Sequence, residues 1–172
     1  MKATGIVRRI DDLGRIVIPK EIRRTLKIQE GSPLEIYTDN DGNVIFKKYS
    51  PVGEMLNLAE IYAQTAWESF GLSCAVVDTE KVIAVCGNAK KDIKNQNISS
   101  RMRNFLGQRK VKNTSEAIQL CENSEKYCSV TSVINSQGDP IGAIAFYDCA
   151  DKITQSHQMA IKTMATLLGY QA

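Results

Sequence analysis

"DDLGRIVIPKEIRRTLKI", residues 11–28, sets a short apolar run, Ile16, Val17 and Ile18, among five cations: Arg15, Lys20, Arg23, Arg24 and Lys27. Within it, "GRIVIP" (14–19) alternates Arg15 and Val17 against Ile16 and Ile18, the period of a strand with two unlike faces. Pro19 suits the first position of a short helix, because the N–H it lacks would go unpaired there. In that helix, "PKEIRRTLKI", Ile22 and Leu26 lie four apart and make a narrow buried edge, with Gly31 as the stop. Upstream, "TGIVRRI" (4–10) is a second β-branched strand. Downstream, "PLEIYTDNDGNVIFKKY" (33–49) is a hairpin of two alternating strands around Asp41-Gly42.

About four strands and one helix in roughly 50 residues make a very small domain, one that buries only about 60% of its unfolded surface and usually needs disulfides, a metal or a partner. The first cysteine is Cys74, so the unit has no covalent or zinc staple. Oligomerisation is the remaining route, and the expected state is an intertwined homodimer. Charge agrees. Residues 1–28 hold eight Lys and Arg against three Asp and Glu, a surplus of +5, while residues 51–172 balance at twelve against twelve. A local surplus, doubled about a two-fold axis, is what phosphate binding requires. The competing reading is a solvated face balanced by Asp11, Asp12 and Glu21.

"YSPVGE" (49–54) divides the chain, since Pro51 and Gly53 disfavour a continuing strand. The expected organisation is a domain over 1–50, a linker over 51–53 and a second domain over 54–172. "EMLNLAEIYAQTAWESF" (54–70) puts Met55, Leu58, Ala59, Tyr62, Ala66 and Phe70 on one helical face. "LSCAVVD" (72–78) and "KVIAVCG" (81–87) are apolar strands around a short turn. Residues 92–108 have helix-compatible spacing in Ile98, Met102, Phe105 and Leu106, and "EAIQLC" (116–121) is a short strand. "SVTSVIN" (129–135) and "PIGAIAFYD" (140–148) form a hairpin. Finally "ITQSHQMAIKTMATLLGY" (153–170) lines up Ile153, His157, Ala160, Ile161, Met164 and Leu168. The fold class is α+β, an antiparallel sheet flanked by helices. The two long helices could cover one sheet face within the chain or pair with copies of themselves.

Catalytic chemistry has little to work with. His157 is the single histidine and falls on a helical stripe, where a packed ring is the ordinary outcome. No G-x-S-x-G, complete phosphate loop or metal-ligand spacing is present. No enzyme activity, cofactor or metal is expected. The five cysteines (Cys74, Cys86, Cys121, Cys128, Cys149) are odd in number and lack a C-x-x-C pair, which fits buried small hydrophobes in a reducing compartment. Cys121 and Cys128 are the better candidates should any thiol sense redox. The N-terminus has no apolar signal region and no run approaches the roughly 20 apolar residues of a membrane span. A cytoplasmic protein without membrane contact is expected.

"TGIVRRIDDLGRIVIPKEIRRTLKI" (4–28) followed by "LEIYTDNDGNVIFKKYSP" (34–51) closely resembles the AbrB-type swapped-hairpin DNA-binding domain of bacterial transition-state regulators. The resemblance implies an intertwined β dimer that binds double-stranded DNA at AT-rich or loosely defined promoter sites, through shape and deformability more than base edges. The family's DNA-contacting arginines map onto Arg8, Arg15, Arg23 and Arg24, with Arg9 and Lys2 as supporting cations. Ile22 stands where the family commonly has leucine. "VIAVCGNAKKDIKNQNIS" (82–99) and "NSQGDPIGAIAF" (135–146) resemble a GAF sensor domain. The pairing implies a sporulation regulator active in the forespore, assembled as a dimer of dimers through helices 54–70 and 153–170. A GAF domain also implies a possible small-molecule ligand, for which Cys86, Asn88 and Ser129 are the candidate contacts. Two other functions remain open: an antitoxin, since the swapped hairpin also serves toxin–antitoxin pairs, and a metabolite or redox sensor whose basic face meets an acidic protein.

Overall fold

The computed structural model describes residues 4–26, 28, 30–88, 90–108 and 113–172, and divides the chain into two compact units, Met1–Tyr49 and Ser50–Ala172. Among the described residues, no helix is long and apolar enough to cross a membrane.

The first unit contains a six-residue helix, α1 (Lys20–Thr25), and an antiparallel hairpin, β1 (Leu34–Thr38) and β2 (Val44–Lys48), in the register Leu34↔Lys48 to Thr38↔Val44. Pro19 precedes α1 as its cap residue rather than opening it. The helix stops at Thr25, three residues short of the expected end, and its anticipated buried edge is open: Ile22 is half-buried and Leu26 exposed. The strands expected over 4–10 and 14–19 form no ladder among the described residues. A strand exists through its partner, and the described residues supply none, so Val7 and Val17 stand 85% and 70% exposed. Pro19 alone is buried among the described residues of this unit.

The second unit opens with α2 (Pro51–Glu54), so the expected linker 51–53 is instead helix with Val52 fully buried. Ser50 caps α2 by accepting from the Gly53 N–H at 3.0 Å, and its hydroxyl donates to the buried carboxylate of Asp78 at 2.8 Å. Next come α3 (Leu56–Phe70), ended by Gly71 in the left-handed region, then β3 (Cys74–Asp78) and β4 (Val82–Cys86). The single helix expected over 92–108 is two: α4 (Lys90–Ile93) and α5 (Ser100–Gly107). Asn95 takes a positive φ and Ile98 bridges Cys121, which breaks the helical path before Ser99 caps α5. Two-residue strands β5 (Asn113–Thr114) and β6 (Ile118–Gln119) precede the long hairpin β7 (Tyr127–Ser136) and β8 (Asp139–Tyr147). The last helix is α6 (Gln155–Gln171).

The sheet runs β4-β3-β8-β7-β5, every pairing antiparallel, with β6 also on β7. All five residues of β3 are buried, as a central strand covered on both faces requires. On one face α2, α3 and α6 bring Val52, Ala59, Ala63, Ala66, Ile161, Met164 and Leu168 against Val76, Ile144 and Phe146. The alanines of α3 let that helix lie close to the sheet. On the other face Ile93, Ile98, Met102, Phe105, Leu106 and Leu120 cover Ala75, Val77, Val133 and Ala145. His157 has the structural role expected of it: Thr154 and His157 form a capping box, and the ring packs edge-on to Phe70 and Phe146.

Candidate nucleic-acid interface

Local hydrogen bonding sets the position of Arg15 in the first unit. Asp11 and Arg15 close a tight turn: the Asp11 N–H donates to the Arg15 carbonyl at 3.0 Å, and Gly14 takes the positive φ the reversal needs. The Asp11 carboxylate then accepts from the Leu13 N–H, the Arg15 N–H at 2.8 Å and the Arg15 Nε at 2.8 Å. The Arg15 backbone N–H, followed by its side chain, holds the Asp11 carboxyl below its ordinary range. Arg15 is thus an exposed guanidinium whose stem is fixed, with donors left over for a ligand. Residues 4–10 and 15–19 leave this turn on either side, carrying Arg8 and Arg9 on the first arm.

Asp39 builds the same device in the β1–β2 turn. Its carboxylate accepts from the Asp41 N–H, the Asn43 N–H and the Asn43 side chain, and Gly42 supplies the positive φ. The shared signal is Asp-x-x-Gly followed by a side chain that can donate, present at both places, although Asp-Gly marks only the second as a turn. The second hairpin has in-chain strands and the first does not, although their turns are built alike.

Arg8, Arg9, Arg15 and Arg24 are exposed, and Arg23 is half-buried beside Arg24 on α1. Apart from the Arg15–Asp11 pair, these arginines have no ion partner among the described residues. Lys2, the sixth candidate, and Lys27 lie outside the described residues.

The candidate ligand contacts of the second unit are each engaged in holding the fold. The Cys86 thiol donates to Gln64 Oε1 at 3.1 Å, tying β4 to α3. The Asn88 carbonyl accepts from the Tyr147 hydroxyl. Ser129 Oγ accepts from the Cys149 N–H at 2.9 Å. None of the three lines the grooves of about 380 and 370 Å³ that run along α6 past Gln155, Gln158, Met159, Lys162 and Leu167. All five cysteines are free and buried. Burial pushes the Cys121 thiol up to about 11 and that of Cys128 up to about 12, which favours the protonated form of both at neutral pH.

Comparison with known proteins places this geometry. The family model described as stage V sporulation protein T C-terminal, transcription factor, matches residues 54–172. Stage V sporulation protein T of Bacillus subtilis is 44% identical over 175 residues, covering 99% of this chain and 98% of that protein. The chain belongs to the stage V sporulation protein T family. Its first unit is also 63% identical over 51 residues to the transition state regulatory protein AbrB of B. subtilis, spanning 30% of this chain and 52% of AbrB. A model described as antidote-toxin recognition MazE, bacterial antitoxin, matches residues 7–53. The GAF domain of an Acinetobacter phosphoenolpyruvate-protein phosphotransferase superposes with a TM-score of 0.53 at 8% identity, over 70% of this chain and 87% of that one. That likeness gives the stage V sporulation protein T fold its second half, an antiparallel GAF-type sheet. The residues it shares are too few to carry a ligand across.

Proposed function

We propose that this chain is a DNA-binding transcription regulator of sporulation, acting on forespore promoters as a homo-oligomer. The observation that carries the reading is the first unit, which exposes four arginines and lacks a core of its own. Val7, Ile10, Leu13, Val17 and Leu26 are all exposed, a cost that a second copy pairing its arms with these would remove. Arms 4–10 and 15–19 then become strands of an intertwined dimer, and each arginine is present twice about the dimer axis.

The second unit supports assembly into a dimer of dimers. α3 exposes Ile61 and Trp67, and α6 exposes Met159, Leu167 and Tyr170. Such apolar positions on helices that already bury their inner faces suit helix-to-helix contact with another copy. Equilibrium sedimentation of the full chain is expected to give four times the chain mass, and a monomer at micromolar concentration would defeat both oligomer assignments.

An antitoxin role is the second reading, supported by the match over 7–53. Against it, residues 50–172 form a sheet domain with a core on each face, where a toxin-wrapping segment is an extended tail. Fluorescence anisotropy on promoter duplexes tests the regulator directly. With six to ten phosphate contacts, affinity falls by about 10³–10⁵ between 50 and 200 mM salt. Salt-independent binding, or a small toxin co-purifying in fixed ratio, would overturn the assignment.

A further inference from the structure

The second unit has no net charge, yet its charges are segregated. Of the twelve cations in residues 51–172, nine fall within 81–112, where Asp92 is the one acid. The remainder holds three cations and eleven acids. A block of +8 beside one of −8 makes this a strongly polar domain despite its neutral total.

The fold turns part of that block into a surface. Ile93 of α4 and Met102, Phe105 and Leu106 of α5 pack onto the same sheet face, so the polar sides of both helices look away from it. Lys91 and Arg101 are exposed there, with no ion partner among the described residues. Lys94 and Arg103, on or beside the same helices, are held instead by Glu60 of α3 at 2.7 Å and Glu122 at 3.7 Å. Of charged residues, the helices of the opposite face, α2, α3 and α6, carry Glu54, Glu60, Glu68 and Lys162. Residues 109–112 lie outside the described structure and are not needed for the surface.

What this surface lacks also narrows its partner. Between Trp67 and Tyr127 no large apolar side chain is exposed among the described residues. A protein interface is built around buried aromatic and aliphatic anchors, and none is exposed on α4 or α5 among the described residues, whereas phosphate contact needs only cations and rewards the guanidinium fork. We propose that the α4–α5 face is a second contact surface for the DNA backbone, with Lys91 and Arg101 gripping phosphates in addition to the arginines of the first unit. The proposal rests on the DNA-binding reading above. Contacts of this kind position a duplex without reading its sequence.

The test uses the full-length chain with Lys91→Glu, Arg101→Glu and the double variant, titrated by anisotropy against a promoter duplex and a random-sequence duplex of equal length. The double variant is expected to weaken binding to both duplexes by the same factor, about eightfold at 0.1 M salt for each phosphate no longer neutralised. The slope of log affinity on log salt falls by about 0.9 for each such phosphate. Oligomer mass and unfolding midpoint stay at wild-type values, and a Lys91→Gln/Arg101→Gln pair shows a smaller shift in the same direction. Wild-type affinity and slope in the double variant, with the parent binding normally, overturn this surface alone. Loss of binding together with loss of oligomer mass also overturns it. A parent chain that does not bind DNA overturns the first unit's role as well.

Discussion

Replacing Arg15 with alanine is expected to lower affinity for promoter DNA by on the order of 100-fold while leaving the oligomer mass unchanged. A well-placed guanidinium on DNA contributes about 1–3 kcal/mol, and a two-fold symmetric dimer forfeits that twice. Arg15 is well placed because Asp11 fixes it: two hydrogen bonds from Arg15 to one carboxylate, both at 2.8 Å, leave the fork on a short, stiff turn. Arg23→Ala on α1 is expected to act similarly. Asp11→Ala should give a smaller loss, since the charge of Arg15 remains and only its orientation is freed; restoring the acceptor with Asp11→Asn should recover part of it. Anisotropy titrations paired with sedimentation separate these effects from misassembly. Wild-type binding by Arg15→Ala or Arg23→Ala would remove the arginines from the interface.

Gly142→Ala is expected to be among the most damaging single-methyl additions in the second unit, costing about 3 kcal/mol or more. Gly142 sits on β8 opposite Asp78 of β3, and a Cβ there would lie 2.2 Å from the Val77 carbonyl oxygen and 3.1 Å from Val52 Cγ2. The obstacle is backbone in the fully buried central strand, so it cannot turn aside as a side chain tip would. The clash also presses on Val52 and Asp78, the two residues that seat α2. Gly107→Ala is the matched control: no described residue lies within 4 Å of its Cβ position at the end of α5, and the change should be neutral to slightly stabilising. Denaturant midpoints with unchanged slopes measure both. Equal stability of Gly142→Ala and the parent would refute the close β3–β8 packing.

Local pattern makes much of the second unit readable. Alternation and apolar runs mark β3, β4, β7 and β8, and helical spacing marks α3 and α6, because each has a face that must be dry. The region between β4 and β7 is harder. Ile98, Met102, Phe105 and Leu106 satisfy one helical period, yet Ile98 belongs to an extended bridge with Cys121. A pairing made with a residue twenty-three positions away leaves no local trace in spacing. Cys86, Asn88 and Ser129 carry contacts that spacing does not show for a related reason: one atom of each is engaged by a partner distant in sequence, Gln64, Tyr147 and Cys149. In the net charge, the basic block over 81–112 is hidden by an equal excess of acids elsewhere in the same unit.

By itself the sequence determined the α+β class, the arginine cluster, and the shortage of apolar cover that makes a lone first unit incomplete. Those follow from composition and near-neighbour spacing, which act over one turn of helix or two residues of strand. Tertiary structure alone decided that Pro51–Glu54 folds into the second unit, that Asp11 aims Arg15, and that α4 and α5 share a sheet face with Lys91 and Arg101 outward. Each depends on which distant segments touch, and contact between distant segments is set by how the whole core closes.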